Sequence, residues 1–292
     1  MSARRMSTAA GPPAPGRHWL LAYPAAMLLV FFLGPFSIML AVSFFHRVEG
    51  AFYEPGFELA NYARFFSELF IQHLGFSLYI AMLVAIVSVC VGFPFTYLLT
   101  RLGSRAQTAW LVFLLSVLSL SEVIIAFSWS LLLSRTAGLS NVLVWLGLMD
   151  EAVSWSPGFV AAFLGFCYLT LPYTVLMLYP PVSRLDRELT EAARTLGASP
   201  VRAFFTIVVP VLRMAILGAL ILVFVFTLGV YLIPQILGRP EHWTLSVLIT
   251  DQAIYQSNVP FAAALAVFLL LTSLALIALT LVIGRQRATA AV

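Results

Sequence analysis

The stretch LDRELTEAARTLGASPVRAFFTIVVP, residues 185–210, is polar and rich in arginine, and it lies between two long apolar runs. Asp186 and Glu188 stand where the start of a helix favours negative charge. Five apolar residues then recur at three- and four-residue spacing, and Gly197 follows the last of them, so the pattern predicts a short amphipathic helix with a glycine stop. The five apolar residues are Leu185, Leu189, Ala192, Ala193 and Leu196.

A second short helix is predicted directly after this glycine. Ser199 and Pro200 are placed as its N-cap and first-turn residue, and Pro210 is expected to interrupt it. The loop from 184 to 212 is far longer than a connection between two membrane helices needs. The sequence therefore predicts two helices that meet at a bend around Gly197 and present an apolar face to a partner. The alternative is an ordinary helical hairpin on the membrane surface.

The composition indicates a chain that lives in a lipid bilayer. Hydrophobic residues make up 62% of the 292 residues and charged residues only 10%, a combination outside the range of soluble domains. Five long windows contain no charged residue, and a sixth contains only Glu122, so each is long enough to cross the hydrocarbon core. Six transmembrane helices are predicted, near 19–45, 74–100, 107–134, 158–181, 213–237 and 261–284.

The arginines predict the orientation of the chain. If both termini lie on one side of the membrane, that side holds 12 arginines and the other holds 4. The positive-inside rule then places both termini and the loop 184–212 in the cytoplasm. Residues 1–17 are expected to form a flexible tail, and 18–288 a single transmembrane domain. The first apolar window is interpreted as a retained span because it exceeds a secretory h-region and lacks a convincing cleavage site.

Residue types that are missing exclude several functions. All 16 basic residues are arginine, so the chain has no phosphate-binding G-x-x-x-x-G-K-[ST] loop, and any ATP hydrolysis must take place on another polypeptide. Cys90 and Cys167 fall inside predicted spans and are expected to pack as small residues. The four histidines lie singly, without metal-ligand spacing. We therefore predict no catalytic residue, no metal site and no cofactor in this chain.

The loop resembles that of a known family. Glu191-Ala192-Ala193, Gly197, Ile207 and Pro210 match the E-A-A-x₃-G-x₉-I-x-x-P pattern of permease subunits of bacterial binding-protein-dependent, type I ABC importers. The sequences at 141–199 and 58–66 are similar to the spermidine/putrescine branch. This resemblance implies the all-α type I ABC importer transmembrane-domain fold in a bacterial inner (plasma) membrane, with a polyamine as the best guess for the solute. Iron, phosphonate, thiamine or another small molecule is the alternative.

The resemblance also implies a coupling mechanism. In this family the loop inserts into a groove on a cytoplasmic ATPase subunit, and ATP-driven closure of two ATPase subunits switches the permease pair between inward- and outward-facing states. Glu191 is expected to hydrogen-bond across the bend, and Gly197 to take a positive φ. Carried over onto this sequence, the ATPase-coupling residues are Glu191, Ala192, Ala193, Gly197, Ala198, Pro200 and Pro210.

The partners implied by the resemblance lie on both sides of the membrane. They are a second permease subunit, expected to form a heterodimer with this chain, and two ATPase subunits that hold ATP and Mg. An extracytoplasmic solute-binding protein, periplasmic or lipid-anchored, is expected to dock on the outer loops, 46–74 and 238–260.

A solute pathway is predicted from the few polar residues within the spans. Glu122 is the only ionisable residue deep in a predicted span, where a carboxylate costs about 2.5 kcal/mol or more unless it faces protein or water. Ser119 falls on the same helical face, so this face is predicted to line the pathway. The alternative is that Glu122 is a polar contact between helices or lies near an interface.

The fifth predicted span carries a similar polar line. Thr227, Tyr231 and Gln235 lie near Pro234, where a broken helix could offer carbonyl groups to a cation. A carboxylate beside Trp129 and Tyr231 would suit a polyamine through charge pairing and cation–π contacts. An ion-driven secondary transporter and an integral-membrane enzyme are more distant alternatives. A membrane enzyme would need grouped catalytic residues at membrane depth, and this sequence does not show them. A secondary transporter would not need the cytoplasmic helix pair.

Overall fold

The computed structural model describes residues 17–289 except 49, 51 and 137, and side chains for 22–278 except these three and residue 66. Residues 1–16 of the predicted tail lie outside the described part. The described chain is helical, with an isolated antiparallel bridge between His46 and Glu54. In chain order the α-helices are α1 (Arg17–Leu28), α2 (Gly34–Val42), α3 (Ala60–Ala63), α4 (Glu68–Leu99), α5 (Ser104–Leu118), α6 (Glu122–Leu132), α7 (Leu139–Trp145), α8 (Phe159–Ser183), α9 (Arg187–Thr195), α10 (Pro200–Ala203), α11 (Val209–Val211), α12 (Arg213–Gly229), α13 (Leu232–Leu237), α14 (Leu245–Thr250) and α15 (Val259–Thr289).

Four stretches in the described chain are helices long and apolar enough to cross a membrane. They are Ala22–Val42, α4, α8 and Val259–Ala278. Two further candidates are bent pairs, α5 with α6 at 93° and Pro200–Val211 with α12 at 75°. If each bent pair counts as one span, the described chain has the six spans that the sequence predicts.

The third predicted span, 107–134, is not one continuous helix, so this part of the prediction was wrong. α5 ends at Leu118 and α6 begins at Glu122. Between them the Ser119 hydroxyl bonds to a carbonyl of its own helix, and Ser121 has an extended backbone. Serine side chains compete with the helical hydrogen-bond ladder, which explains why the apolar window breaks here. Glu122 therefore starts a helix and does not lie in the middle of one.

The fifth predicted span, 213–237, is also interrupted. α12 ends at Gly229, Val230 is extended, and α13 starts at Leu232. The break lies before Pro234 and not at it. Proline is tolerated in the first turn of a helix because the N–H groups there have no partner within the helix. Pro234 therefore marks the start of α13.

The core of the described chain is formed by α4, α8 and α12, which pack against one another. Ser88 on α4 and Thr170 on α8 share a buried hydrogen bond of 2.7 Å. One turn along, a Cβ on Gly92 would stand 2.8 Å from Thr174 Cγ2. Small residues and hydroxyl pairs let membrane helices approach closely, so α4 and α8 form a rigid pair.

The first span lies at the edge of this core. Only 6% of its most apolar window is buried in the chain itself. The two loops predicted to face outward, 46–74 and 238–260, lie together, because Arg47 Nη2 donates a hydrogen bond of 2.9 Å to Gln256 O. Both loops expose aromatic side chains, Phe57 in one and Tyr255 in the other.

Candidate functional site

The helix α9 begins as the sequence predicts. Asp186 is its N-cap, and the Asp186 side chain accepts a hydrogen bond of 2.9 Å from Glu188 N. This bond satisfies a backbone donor that would otherwise be free at the start of the helix. The Glu191 side chain is exposed and has no hydrogen-bond partner among the described residues, so the predicted hydrogen bond across the bend is not formed.

The bend after α9 is closed by backbone hydrogen bonds. Gly197 N donates to Arg194 O and Ala198 N donates to Ala193 O, both at 3.0 Å, which is the Schellman arrangement. Gly197 has φ +88°, as predicted. No atom lies within 4 Å of the place that a Cβ would occupy. The backbone conformation, and not a lack of space, therefore explains the glycine.

The second helix of the loop also has the predicted cap, because Ser199 Oγ accepts from Arg202 N and Pro200 is the first helical residue. Pro210 does not interrupt the helix as predicted. The helix passes through a π-helical turn, Phe204–Val208, into α11, which contains Pro210 and ends one residue later at Val211. Proline lacks an N–H and crowds the carbonyl four residues earlier, and the wider π turn accommodates both effects.

The loop helices are fixed to the end of α4. Arg101 Nη2 donates to Tyr97 OH at 2.9 Å and to Thr190 Oγ1 at 3.2 Å. Arg187 Nη2 donates to Thr100 O at 3.1 Å. The sequence analysis did not single out Tyr97, Arg101 or Thr190. Thr190 lies outside the five apolar positions of the predicted helix, so the pattern gave no signal for it.

The second loop helix is held by apolar contacts. The Phe204 ring lies 5.2 Å from the Phe93 ring and 5.1 Å from the Tyr97 ring, measured between centroids. Beside this contact, α4 and α10 border an apolar groove of about 300 Å³, and Val201 and Phe205 are exposed at its edge. The loop therefore rests on α4 at two points, one polar and one apolar.

The opposite side of α9 carries the predicted apolar face. Leu189 is 44% exposed and Leu196 is 89% exposed, and Ala192 between them is also exposed. Thr190, which faces the end of α4, is only 4% exposed. Three of the five predicted apolar residues are thus open to a partner, whereas Leu185 packs against buried residues of the spans and Ala193 is half-buried.

Glu122, the predicted pathway carboxylate, lies where the two broken spans meet. Its carboxylate approaches the backbone N–H groups of Leu232 and Ile233 at the start of α13. Within the described chain, its Oε1 is buried and forms no hydrogen bond of regular geometry. This position fits a polar contact between α6 and α13.

The other predicted pathway residues are only partly brought together. Trp129 lies on α6, Tyr231 directly precedes α13 and Gln235 lies on it, and α6 packs against α13. Ser119 lies within the break between α5 and α6, Thr227 lies before the break between α12 and α13, and each hydroxyl bonds to a carbonyl of its own helix. The face shared by Ser119 and Glu122 was predicted on one continuous helix, and that part was wrong. The fifth span is broken near Pro234, but the break lies before the proline and separates Thr227 from Gln235.

Trp129 borders a cavity of about 230 Å³ between α6 and α8. Its ring meets the Tyr168 ring edge to face, with 5.8 Å between centroids. Tyr168 was missed by sequence reasoning, since nothing in the pattern of its own span distinguishes it. The cavity is lined by Leu120, Ile124, Ile125, Ser128, Trp129, Leu132 and Tyr168.

Comparison with known families identifies the architecture around this loop. Residues 92–288, which include the whole loop 184–212, match the family described as the binding-protein-dependent transport system inner membrane component. The chain belongs to this family. It is therefore a transport component, the permease subunit of an importer, and a multi-pass protein of the bacterial inner membrane.

Curated relatives of the permease share most of its length. It is 28% identical over 244 residues to the spermidine/putrescine transport system permease protein PotB of Escherichia coli K12, covering 83% of this chain and 88% of the relative. The Haemophilus influenzae protein of the same name is 26% identical over 240 residues, covering 82% and 84%. The putrescine transport system permease protein PotI of E. coli is 27% identical over 179 residues, covering 60% and 59%.

Solved structures share the fold of the permease. A bacterial ABC transporter that imports the acidic polysaccharide alginate matches with a TM-score of 0.69 and 19% identity, covering 92% of this chain and 96% of that one. The alginate transporter in complex with a periplasmic protein bound to an alginate pentasaccharide matches with a TM-score of 0.73 and 17% identity, covering 92% and 93%. At these identities the likeness concerns the fold alone.

Proposed function

We propose that this permease imports a polyamine, spermidine or putrescine, as one subunit of an ATP-driven transporter. The observation that carries the solute assignment is the similarity to PotB proteins over more than four fifths of the chain. The side chains around the two broken spans support it. Glu122 supplies a carboxylate, and Trp129 and Tyr231 supply aromatic faces, which together suit a flexible cation through charge pairing and cation–π contacts.

The loop 184–212 couples the permease to its energy source. The exposed apolar face of α9 fits a groove on an ATPase subunit, and two such subunits hold ATP and Mg. Because α9 is bonded to the end of α4 through Arg101 and Thr190, a displacement of α9 moves α4 with it. The second loop helix continues at a 75° bend into α12, so the same displacement also reaches the fifth span.

The remaining partners follow from the same arrangement. A second permease subunit completes the pathway, most simply as a heterodimer, and a solute-binding protein delivers the polyamine. The two outer loops joined by Arg47 and Gln256 form the surface for that delivery. ATP-driven closure of the ATPase subunits then switches the pair between inward- and outward-facing states, and the permease itself carries out no bond chemistry.

Uptake measurements test the proposal. The permease and the transport subunits encoded beside it are produced in a bacterial strain without polyamine uptake, and accumulation of radiolabelled spermidine and putrescine is followed. We expect ATP-dependent accumulation of at least one of them. Ferric iron, a phosphonate and thiamine serve as comparison solutes. Accumulation of one of these, without any of either polyamine, would overturn the solute assignment and leave the importer assignment standing.

A further inference from the structure

A small polar recess lies where the loop 184–212 meets the ends of two spans. It is bordered by the last turn of α4, the last turn of α8 and the start of α9. Arg101 and Arg187 both line it, and the Nη2 atom of each bonds to another residue of the lining, Tyr97 or Thr100. The lining residues are Tyr97, Thr100, Arg101, Val182, Ser183, Leu185 and Arg187.

The positive charge of this recess is not neutralised by any residue that the structure describes. In the described part, no carboxylate forms an ion pair with Arg101 or Arg187. The nearest acidic residue in sequence, Asp186, is engaged as the N-cap of α9. Both arginines bond only to neutral oxygens, namely a phenol, a threonine hydroxyl and a backbone carbonyl. Among the described residues, the two guanidinium groups therefore have no carboxylate partner, and an anion is the partner they bind most strongly.

The guanidinium groups also retain unused donors. The hydrogen bonds of Arg101 and of Arg187 all come from Nη2. A guanidinium has further N–H groups on Nε and Nη1, arranged in a planar fork that matches two oxygens of one phosphate. The bonds from Nη2 hold each fork in place, which lowers the entropic cost of binding an anion.

The depth and size of the recess indicate what kind of anion fits. α4 and α8 both end at it, so it lies at the level of the lipid headgroups. Its interior holds only about 20 Å³, little more than one water molecule. A phosphate group would consequently sit at the mouth, with its oxygens on the two arginines and the rest of the molecule outside.

We propose that Arg101 and Arg187 bind a phosphate group at the mouth of this recess. The depth of the recess points to the headgroup of an anionic phospholipid, while inorganic phosphate presents the same chemistry. Because both arginines also hold α9 on α4, the bound phosphate would brace the junction through which the loop acts on the spans. This assignment does not depend on which solute is transported.

Lipid retention tests the proposal. The full-length permease, purified with the subunits that accompany it, is mixed with equal amounts of phosphatidylglycerol and phosphatidylcholine, and the retained lipid is measured by native mass spectrometry. We expect preferential retention of phosphatidylglycerol. Arg101→Gln and Arg187→Gln should each reduce it about fivefold, the effect of one basic side chain at an anionic surface. Arg194→Gln, an exposed arginine elsewhere on α9, is the matched control and should retain it.

Two further arms identify the source of the phosphate and guard against misfolding. If inorganic phosphate displaces the lipid, the site binds phosphate groups in general. If inorganic phosphate does not displace the lipid, the site is specific for the lipid headgroup. Competition by glycerol phosphate on the unchanged chain needs no variant, and we expect it to lower phosphatidylglycerol retention. Equal retention of both lipids by the unchanged chain would overturn the proposal. The proposal would also be overturned if the Arg101 or Arg187 variant retained phosphatidylglycerol but no longer bound one of the accompanying subunits. That result would show that the two arginines bind an acidic group of that subunit and not a phosphate.

Discussion

Arg101 Nη2 lies 3.2 Å from Thr190 Oγ1 and donates a hydrogen bond that joins the end of α4 to α9. The Thr190 hydroxyl in turn donates to Arg187 O at 2.9 Å. The bond connects residues 89 positions apart in sequence. It makes α9 and the second span one mechanical unit, and this gives a direct means of separating ATP hydrolysis from transport.

Replacing Thr190 with valine keeps the shape of the side chain and removes the acceptor for Arg101. The net loss is about 1 kcal/mol, typical of one hydrogen bond. We expect the reconstituted transporter to hydrolyse ATP at a near-normal rate but to import several-fold less solute per ATP. Thr195→Val is the control, because that hydroxyl is exposed and bonds only within α9. Equal losses in the two variants would contradict the role assigned to Thr190.

Replacing Gly197 with valine places a β-branched residue at φ +88°. Such a residue disfavours this conformation by about 1–3 kcal/mol, so we expect the bend to open and coupling to be lost. Gly197→Asn should retain most of the uptake, because asparagine tolerates positive φ and there is space for its side chain. ATP hydrolysis and uptake are measured together in both variants. Normal transport by Gly197→Val would remove the coupling role of this bend.

Replacing Glu122 with glutamine removes the charge and keeps the size of the side chain. If the carboxylate binds the solute, polyamine uptake should fall about tenfold or more, with the amount of assembled transporter unchanged. Gln235→Glu, combined with Glu122→Gln, moves the carboxylate from α6 to α13. Comparing this double variant with Glu122→Gln alone shows whether the position of the charge matters. If Glu122→Gln leaves the uptake of every tested cation unaltered, Glu122 is a polar contact between α6 and α13 and not part of the pathway.

Replacing Gly165 with alanine should destabilise the fold. A Cβ there would stand 2.6 Å from Leu237 Cδ1 and 3.0 Å from Ile233 Cγ2, so side chains that are fully buried would have to shift. Overpacking of this kind costs about 1–3 kcal/mol. We expect a lower midpoint of thermal unfolding than for Gly75→Ala, whose Cβ meets no atom within 4 Å. Equal midpoints would show that α8 and α13 pack less tightly than the structure describes.

Much of the loop 184–212 could be predicted from the sequence because its signals are local. The N-caps Asp186 and Ser199 and the positive φ of Gly197 each depend on residues within one helical turn. The end of the second loop helix could not be predicted in the same way. A π turn before Pro210 allows the helix to include this proline and to end at Val211. Nothing in the local sequence distinguishes this helix from one that stops at Pro210.

The candidate pathway was harder to predict. Glu122 was identified because a lone carboxylate in an apolar window is conspicuous, whichever role it has. Ser119 was grouped with it on the assumption of one unbroken helix, although a break separates them. Thr227 was grouped with Gln235 beside a break expected at Pro234, but the break lies earlier and separates these two residues. Tyr168 meets Trp129 only because α6 packs on α8. A contact between distant segments leaves no periodic pattern in either segment.

The sequence alone determined that the chain lies in a membrane, how many apolar windows it has, and that a capped, glycine-bent helix pair follows the fourth of them. These properties depend on the length of apolar runs and on the backbone preferences of single residues. Only the tertiary structure decided where two of the windows break, that Glu122 meets the start of α13, and that Arg101 and Arg187 converge on one recess. Those outcomes depend on how the helices pack, and packing is set by shape and hydrogen bonding between residues far apart in the chain.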